Sequence, residues 1–155
     1  MARNMDTPVL VSACLLGRAC RYDGRHNRDS ALERELDENK MRAVPFCPEE
    51  HGELGTPRPA AWIEAHSAAA VLDGDDRVVT HDGRDVTREF VRGAEGALAQ
   101  CKLHGITLAL LKERSPSCGS CNTHVAGALV EGPGVTTELL RRHGIEVRGV
   151  EGRRN

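Results

Sequence analysis

Short apolar runs alternate with segments of helical periodicity along the chain. The runs at 9–11, 43–47 and 106–111 are brief and rich in aliphatic residues, which is typical of strands buried on both faces of a parallel sheet. Between 86 and 104, apolar residues recur every three or four positions and predict a long helix with one buried stripe. The pattern therefore predicts strands connected by helices.

Residues that begin and end helices support this reading. Asp29 or Ser30 can cap a short helix over 30–38, and Asp85 can cap the long helix. Gly105 supplies a left-handed end to that helix. A last helix over 136–143 ends at Gly144, and 145–147 alternates like an edge strand. The two His-Gly-Ile segments, 104–106 and 143–145, are therefore predicted to form the same helix-to-strand turn.

The middle of the chain has a different character. Residues 54–60 contain two prolines and are predicted to form a loop. From 62 to 80, two or three β-prone pieces are interrupted by a hairpin signal at 72–75. The fold class predicted for the whole chain is α/β: a three-layer, Rossmann-like domain with a mainly parallel sheet and a small β insertion. We expect one domain over 1–155, with flexible termini at 1–6 and 151–155.

Composition narrows the possible functions. The chain has 155 residues, a formal charge of −2 and 3% aromatic residues, so neither a basic face nor stacking platforms for nucleic acid are expected. No apolar run is of membrane-spanning length, and the first residues lack a signal-peptide pattern, which predicts a cytoplasmic protein without a membrane partner. In that reducing compartment, six cysteines suggest metal binding or chemistry rather than a disulfide framework.

Three of the cysteines follow predicted strands. Cys14 and Cys47 lie at the carboxyl ends of the first two strands, and Cys118 lies in the loop beyond the central strand. The carboxyl ends of parallel strands meet at one edge, where α/β proteins bind ligands, so these thiols can converge. Thiolates favour zinc, copper(I) or an iron–sulfur cluster. A cubane cluster held by three cysteines would leave one iron open to a substrate atom.

The other cysteines offer alternatives. Cys118 and Cys121 form a C-x-x-C pair that could be a redox dithiol or, with His124, part of a zinc site. Cys101 lies on the apolar stripe of the long helix and is expected in the core. Cys20, in the loop after the first strand, could lie near the site, but no neighbour in the sequence marks it as a ligand.

Motifs along nearly the whole chain resemble those of the thiouracil desulfidase family, formerly a bacterial domain of unknown function. In order they are VSACLLG (11–17), YDG (22–24), CPE (47–49), TPRP (56–59), GRDVT (83–87), LKERSPSCG (111–119) and GPGVTTELL (132–140). The sequence departs from the family's pattern after Gly119, close to the expected pocket.

The resemblance implies an enzyme that removes sulfur from a thiolated pyrimidine, a thiouracil-like base, by cluster-assisted hydrolysis to the oxo base and sulfide. It implies a 4Fe–4S cluster with three cysteine ligands, Cys14, Cys47 and Cys118, and one open iron. The family's acid/base carboxylate falls on Glu49 and its serine on Ser115. The expected partner is a small thiolated base; we expect a monomer or weak homo-oligomer and assign no sulfide acceptor.

Two other functions remain open at this point. A thiol–disulfide oxidoreductase would use Cys118 and Cys121 without a metal. A non-catalytic binding module would use a metal only to stabilise its fold.

Overall fold

The computed structural model describes residues 6–155; residues 1–5, most of the predicted flexible amino terminus, lie outside the described part. The strands are β1 (Thr7–Ser12), β2 (Met41–Phe46), β3 (Ala61–Ile63), β4 (Val78–Thr80), β5 (Leu108–Lys112), β6 (Asn122–Val125), β7 (Ala128–Glu131) and β8 (Glu146–Val150). The helices are α1 (Ser30–Glu38), α2 (Pro48–His51), α3 (Ala68–Leu72), α4 (Thr87–His104) and α5 (Val135–Arg142), with a 3-10 turn at Ala13–Leu16.

A fully parallel main sheet has the strand order β2-β1-β5-β8. Its central strands β1 and β5 are apolar and buried, as their unbroken aliphatic runs predict. Leu32 and Leu36 of α1 cover one face of the sheet, and Leu98, Cys101 and Leu140 of α4 and α5 cover the other. The three-layer α/β prediction is confirmed, and Cys101 is a core residue as expected.

A second sheet, of order β4-β3-β6-β7, is larger than the predicted insertion. Strands β3 and β4 pair antiparallel, as the β-prone pieces suggest, but residues 68–72 between them form α3 rather than a hairpin arm. The run of three alanines there favours a helix, and Ser67 caps it by accepting a hydrogen bond from the Ala70 amide. The β6–β7 hairpin, which completes the sheet, was not predicted.

The predicted helix ends are largely confirmed. The Asp29 side chain caps α1 by accepting a hydrogen bond from the Leu32 amide at 2.8 Å. Gly105 and Gly144 have φ values of 66° and 77°, and the following isoleucine amide bonds a carbonyl five residues earlier in both turns. The two His-Gly-Ile segments therefore form similar turns, although the Gly105 amide bonds a carbonyl four residues earlier and the Gly144 amide bonds one three residues earlier. The cap prediction for α4 is wrong by one residue: the helix begins at Thr87, its N-cap is Val86, and Asp85 instead accepts a hydrogen bond from the Thr87 amide two residues later.

The carboxyl-terminal residues make contacts with the main body. The Arg154 guanidinium donates to the fully buried Asp29 carboxylate at 2.7 Å, and the Arg154 carbonyl accepts from the Ser30 amide. These bonds argue against free movement of Arg154, while the flexibility of 151–155 as a whole stays a prediction. Across residues 6–155, each helix is too short or too polar to traverse a lipid bilayer.

Helix α2 follows β2 directly and packs closely on α4. The Pro48 carbonyl lies where a β-carbon would be at Gly93, and the Glu89 carbonyl lies where one would be at Gly52. Glycine at these positions lets the two backbones touch. The contact fixes the start of α2, and with it the residues that follow β2, against the longest helix of the domain.

We expect Gly93→Ala to loosen this contact and to lower the free energy of unfolding. Overpacking costs about 1–3 kcal/mol and the gain in helix propensity returns up to about 1 kcal/mol, so a net loss of about 1–2 kcal/mol is expected in chemical denaturation. Gly96→Ala is the matched control, because its new methyl group would meet only the His51 side chain, which can rotate away. Equal stability of the two variants would contradict the proposed role of the backbone contact.

Candidate functional site

The carboxyl edge of the main sheet opens into a cavity of about 690 Å³. The ends of β1, β2 and β5 form its floor, and β3 and β6 of the second sheet contribute one wall. All five site residues predicted from the sequence line this cavity: Cys14, Cys47, Glu49, Ser115 and Cys118. The topology therefore brings together residues that are far apart in the chain.

Cys14 and Cys47 each lie just beyond a strand. Cys14 lies in the 3-10 turn that follows β1, and its sulfur accepts a hydrogen bond from the Asn27 side-chain amide at 3.5 Å. Cys47 is the residue before α2. Asn27 is 5% exposed and was not singled out from the sequence, because an isolated asparagine in a loop carries no local signal.

Cys20, which the sequence places near the site but does not mark as a ligand, also lines the cavity. Its thiol is buried, and hydrogen bonding with Cys14 and Cys47 raises its own pKa far above the ordinary value of a thiol. The hydrogen bond with Cys20 lowers the pKa of Cys14 to about 7, although burial acts to raise it. The hydrogen bond from Asn27 and the positive charge of Lys112 lower this pKa further. The same kind of bond lowers the pKa of Cys47. The thiolate forms needed for metal ligation are thus favoured at both positions.

Cys118 lies in a loop held by the start of α5. The Val135 and Thr136 amides donate to the Pro116 and Ser117 carbonyls at 2.8 Å each, and the Thr137 hydroxyl donates to the Cys118 carbonyl at 2.9 Å. The GPGVTTELL segment thus uses its unpaired amino-terminal groups to fix this loop. Burial raises the pKa of the Cys118 thiol, and a hydrogen bond with the Ser12 side chain opposes that shift.

Glu113 organises the same loop from inside. One oxygen of its carboxylate accepts hydrogen bonds from the amides of Ser120, Cys121 and Asn122 at 2.9–3.1 Å, and the other bonds the Ser120 hydroxyl. The side chain is buried, and β8 passes close to it because Gly149 has no β-carbon. No sequence signal marks this role, since Glu113 resembles any charged residue after a strand.

The C-x-x-C pair does not form a compact site. Cys118 is buried and faces the cavity, whereas Cys121 is exposed and is not among the residues that line it. His124 does line the cavity, and its ring nitrogen bonds the Arg114 carbonyl at 3.0 Å. The raised pKa of Cys118 is the opposite of what an attacking redox thiol requires. This geometry argues against both the dithiol and the local zinc interpretation.

Glu49 is held by a buried arginine. The Arg58 guanidinium donates to the Glu49 carboxylate at 2.7 Å, and also to the carbonyls of Cys20 and Gly55 at 2.9 Å each. The side chains of Arg58 and Glu49 are 6% and 15% exposed. Arg58 therefore fixes the carboxylate relative to the loop that carries Cys20. Because desolvation offsets the attraction within a buried ion pair, we ascribe to this pair the orientation of Glu49 and not a gain in stability.

Ser115 has a defined orientation. Its hydroxyl oxygen accepts hydrogen bonds from the amides of Ser117 and Cys118 at 3.1 Å each. Both lone pairs are thereby occupied, so the remaining capacity of this hydroxyl is to donate its proton toward the cavity.

The chemistry of the thiols indicates what they can hold. Cys14, Cys47 and Cys118 are free thiols that come from three different segments of the chain and line one cavity. Thiolates are soft ligands, which zinc, copper(I) and iron–sulfur clusters accept. The residues present therefore fit a sulfur-ligated metal centre.

These features define a class of protein: a parallel α/β domain with a thiol-lined cavity, suited to a metal centre, at the carboxyl edge of its sheet. A family model for 2-thiouracil desulfurase matches residues 9–151. The chain belongs to this family and is a desulfidase-type enzyme, as the sequence motifs imply.

Two relatives illustrate the extent of the likeness. The chain is 41% identical over 142 residues to the uncharacterized protein YbbK of Bacillus subtilis (strain 168), covering 90% of this chain and 93% of YbbK. It is also similar to the solved structure of TudS, described as a [4Fe–4S]-dependent thiouracil desulfidase. That match has a TM-score of 0.78 and 46% identity, and covers 93% of this chain and 91% of TudS.

The Glu113 hydrogen bonds lead to a pH-dependent prediction. Burial disfavours the charged carboxylate, but the bonds from Ser120, Asn122 and Cys121 outweigh it and lower the pKa of Glu113 below its ordinary 4.5. A lowered pKa stabilises the fold above pH 4.5, and this contribution is lost as the pH falls through the folded-state pKa. We expect Glu113→Gln to lose about 1–3 kcal/mol of unfolding free energy at neutral pH, with the deficit shrinking in acid.

Denaturation of both proteins at several pH values measures this difference. Glu95→Gln is the control, because Glu95 is exposed on α4 and its loss is expected to change stability by less than about 0.5 kcal/mol. A Glu113→Gln deficit that stays constant from neutral pH to below pH 4 would contradict the assignment.

Proposed function

We propose that this protein removes sulfur from a thiolated pyrimidine such as thiouracil by hydrolysis, using a 4Fe–4S cluster held by Cys14, Cys47 and Cys118. The observation that carries the proposal is the convergence of these thiols, with Glu49 and Ser115, on one cavity. In the overall reaction a C=S bond and a water molecule become a C=O bond and hydrogen sulfide, so no electrons are gained or lost. The enzyme is accordingly a hydrolase in chemical terms.

The donor set supports this cofactor. Three cysteines from three separate segments that line one cavity fit a cubane whose fourth iron has no protein ligand. When bound, such a cluster supplies a Lewis-acidic iron that can accept the substrate sulfur and make the adjoining carbon more electrophilic. The description of TudS as [4Fe–4S]-dependent agrees with this choice.

Glu49 is the proposed general base. It lies two residues beyond Cys47, so a carboxylate oxygen and a ligand sulfur face the same cavity. Arg58 donates its hydrogen bond to one carboxylate oxygen of Glu49, Oε2. The second oxygen, Oε1, can therefore accept a proton from a water molecule. That water then attacks the thione carbon, and the proton on Glu49 is available for the departing sulfide.

Ser115 is the proposed substrate-orienting residue. Because its oxygen is occupied by two backbone amides, its hydroxyl can only donate. A ring nitrogen or exocyclic oxygen of a pyrimidine is a suitable acceptor. Trp62 and His124 from the second sheet also line the cavity.

The alternative functions have weaker support. A thiol–disulfide oxidoreductase requires Cys118 and Cys121 to act as a pair, but one is buried in the cavity and the other is exposed outside it. A purely structural metal would not require a cavity of about 690 Å³ beside it. The expectations of a small-molecule partner, a cytoplasmic location and a monomer or weak homo-oligomer accompany the proposal.

The ligand assignment predicts which variants lose the cluster. After anaerobic reconstitution with iron and sulfide, Cys14→Ser, Cys47→Ser and Cys118→Ser should each lose most of the bound iron and acid-labile sulfide. Cys121→Ser should retain both, because its side chain lies outside the cavity. Metal analysis and the visible absorption of the cluster measure the result. Loss of the cluster in Cys121→Ser, with retention in Cys47→Ser, would overturn the assignment.

The role of Glu49 predicts a separation of binding from turnover. Glu49→Gln keeps the size of the side chain and should retain the cluster, but sulfide release from thiouracil should fall at least about 100-fold, as for loss of a general base. Glu53→Gln, a nearby exposed carboxylate that pairs with Arg92, is the control and should release sulfide normally. Unchanged turnover in Glu49→Gln would remove this residue from the mechanism.

A further inference from the structure

We propose a second metal site in the same protein: a mononuclear site for a thiophilic divalent ion such as zinc, formed by Cys20, Cys47 and Glu50. Within residues 6–155, these three form the group whose ligand atoms all lie within 4.8 Å of one another. The site shares Cys47 with the proposed cluster but uses neither Cys14 nor Cys118. Two sulfurs and one carboxylate oxygen are ligands that zinc accepts.

The position of these ligands follows from the fold. Cys47 and Glu50 are three residues apart across the start of α2, so their side chains project to the same side. Cys20 comes from the loop after β1, and its carbonyl is held by the Arg58 guanidinium at 2.9 Å. The ligands are therefore brought together by rigid local structure, which lowers the cost of binding an ion.

The surroundings of the Glu50 carboxylate support the site independently of the distances among the three ligands. One carboxylate oxygen accepts a hydrogen bond from the Thr56 hydroxyl at 2.8 Å, which fixes the orientation of the group. The other, Oε1, is buried and accepts no well-formed hydrogen bond. The Arg18 guanidinium lies 2.9 Å from it, but the Arg18 side chain is 66% exposed. The partner of this buried oxygen is thus a solvent-exposed guanidinium outside hydrogen-bond geometry, and coordination of an ion would satisfy the oxygen more fully.

Charge also favours occupancy. Two thiolates and a carboxylate together carry three negative charges, which a divalent ion and the adjacent Arg18 would neutralise. Cys20 and Cys47 line the cavity, so a fourth, open coordination position can be filled by water from that side.

Sharing Cys47 makes the two metal states mutually exclusive. The existence of the mononuclear site is independent of the proposed function, and only the competition rests on it. An ion at Cys20, Cys47 and Glu50 would withhold one thiolate from the cluster. Zinc bound to the cluster-free protein would thereby slow cluster assembly, while the cluster would release the ion.

Cobalt(II) titration of the reduced, cluster-free protein under anaerobic conditions tests the site, because thiolate coordination gives sulfur-to-cobalt charge-transfer absorption. Cys20→Ser should weaken cobalt binding at least about 100-fold, beyond the roughly 10–100-fold effect of losing an outer partner. Glu50→Gln should weaken it about 10-fold or more. Cys14→Ser should bind cobalt like the wild type, and the buried core variant Cys101→Ser is the control for folding and thiol number.

Cluster reconstitution of the same variants separates this proposal from the proposed function. Cys20→Ser should still take up the cluster, Cys14→Ser should not, and Cys47→Ser should lose both metals. Cobalt binding by Cys20→Ser at wild-type affinity, or dependence of cobalt binding on Cys14 in place of Glu50, would overturn the mononuclear site. Failure of every variant to form a cluster, with cobalt binding as expected, would instead count against the proposed function alone.

Discussion

Parallel hydrogen bonding among β2, β1 and β5 decides where the chemistry of this protein can take place. The three strands run in the same direction, with Ser12 opposite Phe46 and Val11 opposite Leu110, so their carboxyl ends lie at one edge. Residues more than a hundred positions apart then face a common cavity. An antiparallel arrangement of the same strands would send alternate ends to opposite edges, and the three thiols would not meet. The buried aliphatic side chains that favour the parallel sheet are thus the first requirement of the site.

Strand ends alone do not hold a cysteine in place, because the loops that follow them carry unpaired backbone groups. In the Cys118 loop these backbone groups find partners from two sources. The Glu113 carboxylate accepts hydrogen bonds from three of the loop amides, and amides at the start of α5 donate to the loop carbonyls. Donors and acceptors of the loop are thereby paired although it is largely buried. The result is a rigid loop that presents one thiol and the Ser115 hydroxyl to the cavity.

How much the sequence predicts depends on whether the signal is local. The strands, the capped helices and the placement of Cys14, Cys47 and Cys118 follow from periodicity and chain direction, which act over a few residues. The β6–β7 hairpin was missed because its strands are short and its outer strand is exposed, so no apolar alternation marks it. The contacts of Cys20 and the roles of Asn27 and Glu113 were missed for another reason. Their roles arise from contacts between distant loops, and a single sequence contains no record of those contacts.

Helix α2 has only four residues, yet it carries Glu49 and Glu50 and directly follows Cys47. A helix this short is unstable by itself, because the cost of nucleation is not recovered within one turn. Its geometry is imposed from outside: β2 fixes its start, and the Gly93 and Gly52 contacts press its backbone against α4. Cys47 and Glu49 consequently keep a constant separation, since both belong to the same anchored turn. The thiolate proposed to hold a metal and the carboxylate proposed to activate water are therefore positioned by one structural constraint, which a pair of independent loops could not provide.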